Sequence, residues 1–584
     1  MNKILTILKN HKWAVVMAVL AGLILALPQF YFRFHESYQG IDMPLTGAET
    51  FYQGRIQEVR DGYPSMGNVW FLEYKDRPYI QPALGEIITS DLGKIFGLDM
   101  NNTILLSRIV FPALIFLAIY AFVYLLIKKK YVALLASAGI LLADNVFTRP
   151  FILNLLKWEI TEYQALGYAR PINPQISSLL FFAFLVFFWL FLQTDTSKIK
   201  KWTFGILSGL FWGMSFYVYF YTWSLILVFL GILGLFFLFK KEWLDLRKIF
   251  FVVAVALIVA GPYILNTFQS MQYLEYTESS QRLGLVDGRQ PLPINLVAAT
   301  LIVFLIFFPR TLKKAYLFGA TLFVSLLVVL NQQIITGKVL IGDHYHWYYS
   351  KPLAFIFMTI ILFFLLEKII SSQILKKIII GVIIAAFILN GFTTDAINYF
   401  YRLQNYSVDS DSIVGQQRYG PILDWLNANA QKDSVVLANS ELSILISVYT
   451  PLNLALDPKW ANQYLVSQRE LLERLFLNYR LIGVSAQDAT EVFFREKSWI
   501  SMMIFSEYYR QTLGEWDQIP EEVILSLAKE YQVFSGYPIE KLFQKFKIKY
   551  AVWDTTKQPE WALGQYPFLR EVRRDNKIII FQVI

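Results

Sequence analysis

From Glu49 onward an acid, aromatics and an arginine recur at helical spacing: Glu49, Phe51, Tyr52, Arg55, Ile56 and Val59, followed by Asp61-Gly62. The apolar members share one face of a helix running from Glu49 to Val59, and Gly62 supplies a stop. A carboxylate in that position can take or give a proton, and it can equally well solvate an interfacial helix. A second group holds Arg149, Glu159, Glu162 and Arg170 between apolar runs. Arginine is shaped for bidentate phosphate contact, with ordinary salt bridges as the plain alternative. A third group reads Lys338, Asp343-His344-Tyr345-His346-Trp347-Tyr348-Tyr349. His-x-His with one aspartate is part of a metal site whose further ligands are missing nearby. Histidine and aspartate beside aromatic faces fit stacking and hydrogen bonding to a sugar or phosphate better. Trp347 and Tyr349 also suit interfacial anchoring. No serine elbow, phosphate loop, dinucleotide fingerprint or zincin motif is present, so no soluble-enzyme signature appears.

The elements that must hold these groups are set by hydropathy. The 584 residues are 56% hydrophobic and only 17% charged, with 49 Phe, 34 Tyr and 15 Trp. Apolar runs lie near 13–33, 104–127, 131–147, 175–193, 203–220, 222–239, 249–268, 293–309, 315–331, 352–367 and 376–392. Most have the length of about twenty residues that crosses a bilayer. The run from Trp202 to Phe239 is divided at the aromatic patch Tyr217 to Thr222, because one helix of that length overshoots the hydrocarbon. Basic residues recur in every second connection, as at Lys128-Lys129-Lys130 and Lys240-Lys241. That alternation predicts eleven spans with the N-terminus inside and the C-terminus outside. The run from Trp13 to Phe32 reads as the first crossing and not as a cleaved leader. The long connections 34–103, 148–174, 269–292 and 332–351 then face outward, with the spans nearly free of charge.

No cysteine occurs, which excludes disulfides and thiolate metal sites. The net charge of +9 is distributed as membrane topology, and no nucleic-acid binding is read from it. The expected division is a helical membrane domain over 1–392 and an outer α/β domain over 393–584. Helical stretches there are Gly420 to Ala430 and Leu465 to Leu481. Strand-like runs are Ser434 to Ala438, Lys547 to Trp553 and Lys577 to Val583.

The sequence Ala48-Glu49-Thr50-Phe51-Tyr52-Gln53-Gly54-Arg55, then Asp61-Gly62, on an N-in bundle with an outer α/β tail, resembles the GT-C superfamily of integral membrane glycosyltransferases. Within it, the chain is similar to oligosaccharyltransferase catalytic subunits and their bacterial relatives. The resemblance implies a polyprenyl-phosphate-linked sugar donor, and a protein, lipid or polysaccharide acceptor on the outer face of a bacterial-type plasma membrane. It implies Glu49 as the first-loop catalytic acid, with Asp42 as second choice. Arg55, Arg149, Glu159, Glu162, Arg170, Lys338, Asp343, His344, His346 and Trp347 are the expected substrate contacts. The family's acidic pair before the fourth span is replaced by Gly167 to Asn173, so a divalent Mg or Mn lacks its usual ligands. The Trp-Trp-Asp motif of the soluble domain is missing too. The competing classes are a transporter or flippase of lipid-linked or small solutes, and a non-catalytic cell-envelope assembly protein.

Overall fold

The computed structural model describes residues 9–46, 48–146, 165–193, 198–404 and 412–584. Each of the eleven apolar runs carries a helix. These are α1 (Lys12–Phe32), α4 (Met100–Ile127), α5 (Lys130–Leu142), α6 (Gln175–Gln193), α7 (Lys198–Ser215), α8 (Phe220–Phe239), α9 (Trp243–Ser270), α10 (Asn295–Phe307), α11 (Lys313–Leu330), α12 (Lys351–Ile369) and α13 (Gln373–Gln404). Two further helices, α2 (Glu49–Arg60) and α3 (Leu84–Ile95), lie in the long connection between α1 and α4. Among the described residues, eight helices are long and apolar enough to cross a membrane. The thirteen residues of α5 rise only about 20 Å, short of the ~30 Å hydrocarbon core. The chain breaks between Ser215 and Phe220, beside the aromatic patch chosen for the split.

After Gln404 the chain builds a five-stranded mixed sheet flanked by helices. Its order is β4-β3-β5-β7-β6, with β3 (Val435–Leu437), β4 (Asn453–Leu454), β5 (Ile548–Asp554), β6 (Leu569–Asp575) and β7 (Ile578–Val583). β3 runs parallel to both neighbours, whereas β5, β7 and β6 are antiparallel, with Ala551 opposite Phe581. A two-residue pairing of β1 (Val286–Asp287) with β2 (Lys338–Val339) joins two of the long connections.

Helix α2 has the expected extent, and Gly62 at φ +98° closes it in a conformation that favours glycine. Its setting differs from the interfacial helix read from the sequence. Residues on nearly every side of it are buried, polar ones included. The reason is a second layer: helix α14 (Ser440–Tyr449) packs on it, so closely that a Cβ on Gly54 would lie 3.2 Å from Ser447 Oγ. Polar staples secure the seam. Arg55 Nη1 donates to the Tyr464 hydroxyl at 2.7 Å, the Asp42 N–H donates to the Tyr449 hydroxyl at 2.9 Å, and Leu454 N–H donates to the Trp70 carbonyl at 2.8 Å. Trp70 is enclosed by Phe51, Trp460 and Tyr464.

The seam also holds a titrating cluster. Lys75 Nζ grips both Glu58 oxygens at 2.6 Å, Tyr63 donates to Asp433 at 2.7 Å, and Lys432 Nζ donates to the Asp61 carbonyl at 2.5 Å. Burial, opposed by Lys75, pushes Glu58 up to about 7. Burial, opposed by the Gln57 amide, pushes Asp61 up to about 6. Both values lie above those of the unfolded chain, so the folded state binds these protons more tightly. The contribution to stability is therefore full below the ordinary carboxylate range near 4 and is lost as pH rises through about 6 to 7. The thermal midpoint of the purified protein should fall as pH is raised from roughly 5 to 7.5, and a Glu58→Gln, Asp61→Asn variant should flatten that slope. An equal slope in the variant would place the titration elsewhere.

Candidate functional site

A groove of about 570 Å³ opens between α5, α10 and α12 at the end of the bundle that carries the first loop. Its walls are apolar: Ile140, Leu296, Phe355, Met358 and Leu362 line it, with Leu296 and Leu362 exposed at its mouth. From Lys351 to Leu362 it follows one side of α12 for about 16 Å at the helical rise. Its closed end is polar, formed by Thr46, Asp144, Asn145, Gly167, Arg170, Trp347, Tyr348 and Lys351. Three connections, remote in sequence, supply that end.

Each polar side chain is held by a neighbour. Arg170 is half-buried, its guanidinium lying 5.7 Å from the rings of both Tyr52 and Tyr348. It donates through Nη2 to the Tyr348 hydroxyl and through Nε to the Asn173 carbonyl at 2.5 Å. Lys351 Nζ donates to the Asp144 carbonyl and lies 4.9 Å from the Trp347 ring. Asp144 Oδ2 accepts the Gly167 N–H at 3.1 Å, while its inaccessible Oδ1 has no hydrogen-bond partner among the described residues.

Behind this wall lies a fully enclosed ion pair. Arg108 Nη2 binds Glu49 Oε2, and both residues are 0% exposed. Thr46 lines the groove, and its N–H donates to Glu49 Oε1 at 3.1 Å. Arg108 Nε donates to the Ala169 carbonyl at 3.0 Å. One guanidinium thus ties α4 to the first loop and to the segment carrying Arg170. Burial pushes the Glu49 carboxyl up, and Arg108 pulls against it. Asp395 of α13, 2% exposed, has Arg108 and Asp144 as charged neighbours, and neither of its carboxylate oxygens has a hydrogen-bond partner among the described residues.

The expected contacts divide accordingly. Arg170 and Trp347 line the groove, and Glu49 stands one hydrogen bond behind it. Asp42 does not face it: Arg33 clamps both Asp42 oxygens at 3.0 and 2.6 Å. Arg55 is spent inside the seam on Glu86 and Tyr464. Lys338 pairs with Asp287 at 2.6 Å on the β1–β2 pairing, away from the groove. The two histidines diverge and do not form half a metal site. His344 stacks on Tyr219 and meets Tyr221 edge-on, whereas His346 faces a different cavity. Arg149, Glu159 and Glu162 lie outside the described residues. Among the described residues, no three His, Cys, Asp or Glu side chains gather to hold a metal ion. The helices are nearly free of charge as read; Arg108 is enclosed in α4, and Asp395 lies on α13 beyond the run 376–392. Arg108 was legible as the one cation inside the run 104–127, the kind of residue a lipid-spanning helix carries for a reason. Asp144 and Lys351 stood at the ends of apolar runs, where nothing in the sequence showed that they meet.

No protein-family model matches this chain, and no curated protein matches it. Among solved structures, it is similar to the apo oligosaccharyltransferase of Archaeoglobus fulgidus, at 12% identity and a TM-score of 0.45, over 94% of this chain and 71% of that one. It is similar to apo ArnT from Cupriavidus metallidurans at 10% identity and a TM-score of 0.48, over 98% and 97% of the two chains. It is also similar to the archaeal oligosaccharyltransferase AglB from Archaeoglobus fulgidus, in complex with an inhibitory peptide and a dolichol-phosphate, at 12% identity and a TM-score of 0.46, over 95% and 72%. These are GT-C glycosyltransferases, the superfamily that the first-loop sequence resembles. Any assignment of chemistry rests on the groove's own side chains.

Arg108→Met leaves Glu49 enclosed without a counter-charge, which should cost about 3–5 kcal/mol of stability, while Arg108→Met with Glu49→Leu should recover most of it. Unfolding of both variants in detergent reads this directly. A double variant as unstable as the single one would show that the pair is not the connection described.

Proposed function

We propose that this protein is a membrane glycosyltransferase that takes a sugar from a polyprenyl-phosphate donor and passes it to an acceptor hydroxyl or amide. The observation that carries the reading is the groove, whose apolar walls end at two cations, Arg170 and Lys351, beside a carboxylate. An isoprenoid chain fits the walls, entering from lipid past Leu296 and Leu362, and a phosphate fits between the cations. In the transfer, the bond between the sugar's anomeric carbon and the phosphate oxygen breaks, and its electron pair leaves with the phosphate. Arg170 and Lys351 offset that charge in a site with little water. The acceptor atom bonds to the same carbon through an oxocarbenium-like state, and its proton passes to a carboxylate. Asp144 faces the groove and takes that part. Glu49, the acid of the first loop, fixes Arg108 and Thr46, so its loss disables the same end.

The proposal includes the membrane arrangement: all eleven helices span, the N-terminus is cytoplasmic, and the groove's polar end and the sheet domain over 393–584 are extracytoplasmic. The alternation of basic connections supports it. A transport reading draws on Arg108 and Asp395, charges buried inside helices as in many transporters. It predicts solute flux in liposomes and no requirement for a lipid phosphate.

Undecaprenyl phosphate should bind the purified protein, and Arg170→Ala or Lys351→Ala should each weaken it about 10- to 100-fold, the worth of a charge-assisted contact. Asp144→Asn should abolish transfer from lipid-linked sugars while leaving that binding within a few-fold, whereas Glu49→Gln, which unties Arg108, should lose transfer and binding together. Unaltered binding in both cation variants would remove the phosphate from this end of the groove.

A further inference from the structure

Two buried polar groups stand behind the groove without a bond. Arg108 spends Nη2 on Glu49 and Nε on the Ala169 carbonyl, while its enclosed Nη1 bonds to nothing among the described residues. Asp395, 2% exposed, has both oxygens enclosed and equally unbonded there. Its charged neighbours are Arg108 and Asp144, and it bonds to neither.

The fold ties this carboxyl to the phosphate end. Asn145 lines the groove beside Asp144, and its Nδ2 donates to Thr394 Oγ1 at 3.0 Å. One turn earlier on α13, Asn390 Nδ2 donates to Asn145 Oδ1 at 2.9 Å and to the Leu142 carbonyl at 2.8 Å. The end of α5 is thereby clamped to α13, with Asp144 and Asp395 each next in sequence to a clamp residue. Among the described residues, the elements packed on α13 bring no other charge up to Asp395. Helix α1 has its only charge at Lys12 and α5 at Lys130, and the short helix Ile413–Gln416 has none. Both lysines start their helices, about 18 Å of helical rise from where Ile24 and Leu142 meet Gly391. Arg402, two turns along α13, donates to the Leu45 carbonyl at 2.7 Å and has Glu49 as its charged neighbour.

The consequence is electrostatic. Arg108 is already matched by Glu49, so an ionised Asp395 stands beside Asp144 as a like charge with no cation of its own. A phosphate seated between Arg170 and Lys351 adds a further negative charge where little water screens it. With a proton on Asp395 that repulsion is gone, and the two cations face only the phosphate and Asp144. Glu49 and Asp144 are worse placed to carry the proton. Each accepts a backbone N–H, from Thr46 and Gly167, and each has a cation beside it, Arg108 and Lys351.

We propose that Asp395 is a positioning residue for the donor, one that carries a proton whenever the lipid phosphate is bound, so that phosphodiester binding and protonation of this carboxyl are linked. This rests on the glycosyltransferase reading above only in placing a lipid phosphate at Arg170 and Lys351.

The test measures binding of farnesyl methyl phosphate to the full chain in detergent from about pH 5 to 10. A diester keeps one charge over that range, whereas a monoester loses its second proton at about pH 6. The readout is the ratio of wild-type to Asp395→Asn affinity at each pH, which cancels every titration the two proteins share. The ratio should be constant at low pH. Once Asp395 ionises, the wild type should lose affinity about tenfold per pH unit relative to the variant. Asp395→Ser gives the same comparison if the asparagine variant does not fold. Calorimetry of the wild type in two buffers of different protonation enthalpy should register about one proton taken up per phosphate across the falling range. A ratio that stays constant over the whole range would overturn the proposal and leave the phosphate site standing. Absence of diester binding at every pH in both proteins would overturn the phosphate site, and the proposal with it.

Discussion

A guanidinium enclosed within an apolar helix must be paired, and the pairing of Arg108 organises everything around it. An isolated charge in that position costs several kcal/mol, so Glu49 is held against it, and with Glu49 the first loop. Arg108 Nε reaches the Ala169 carbonyl, and that fixes the segment carrying Arg170. Two loops more than a hundred residues apart are thereby set on one side chain of α4. Thr46 and Arg170 are positioned through these bonds, and not through rigid secondary structure of their own.

The groove follows from the division of labour in the bundle. Helices α5, α10 and α12 turn Ile140, Leu296, Phe355 and Met358 toward a common gap, which stays apolar because no charged residue lies along that face of α12 between Lys351 and Leu362. At its closed end the charges alternate: Arg170 among tyrosines, Lys351 on Asp144, then Arg108 and Glu49 behind. Tyrosine rings around Arg170 give cation–π contact without neutralising it, which keeps its positive field available to a ligand. The layer above, α14 and the sheet after Gln404, closes over α2 and removes that helix from water.

Hydropathy made the helices legible, down to the break near Tyr217, since burial in lipid demands long uninterrupted apolar runs. Strands β3, β5 and β7 were legible as short apolar, β-branched runs, the pattern of a buried strand. Strand β6 was not: Arg570, Glu571, Arg573 and Arg574 give it the look of a loop, and it lies at the sheet edge, where such charges are tolerated. Helix α2 was read correctly in extent and wrongly in setting, because amphipathic spacing does not reveal that α14, some four hundred residues later, packs on it. His344 and His346 were read as a pair from adjacency, yet His344 packs among Tyr219 and Tyr221 while His346 lines a cavity. Asp144, Arg170 and Lys351 meet only through tertiary packing, which no local spacing encodes.

The account rests most heavily on where a lipid phosphate settles. A structure of the protein with a bound polyprenyl phosphate tests this most directly. The account predicts the isoprenoid chain along α12 from Phe355 toward Leu362, and the phosphate within hydrogen-bonding reach of Arg170 and Lys351. A phosphate held anywhere else, with those two side chains unchanged and the groove empty, would contradict it.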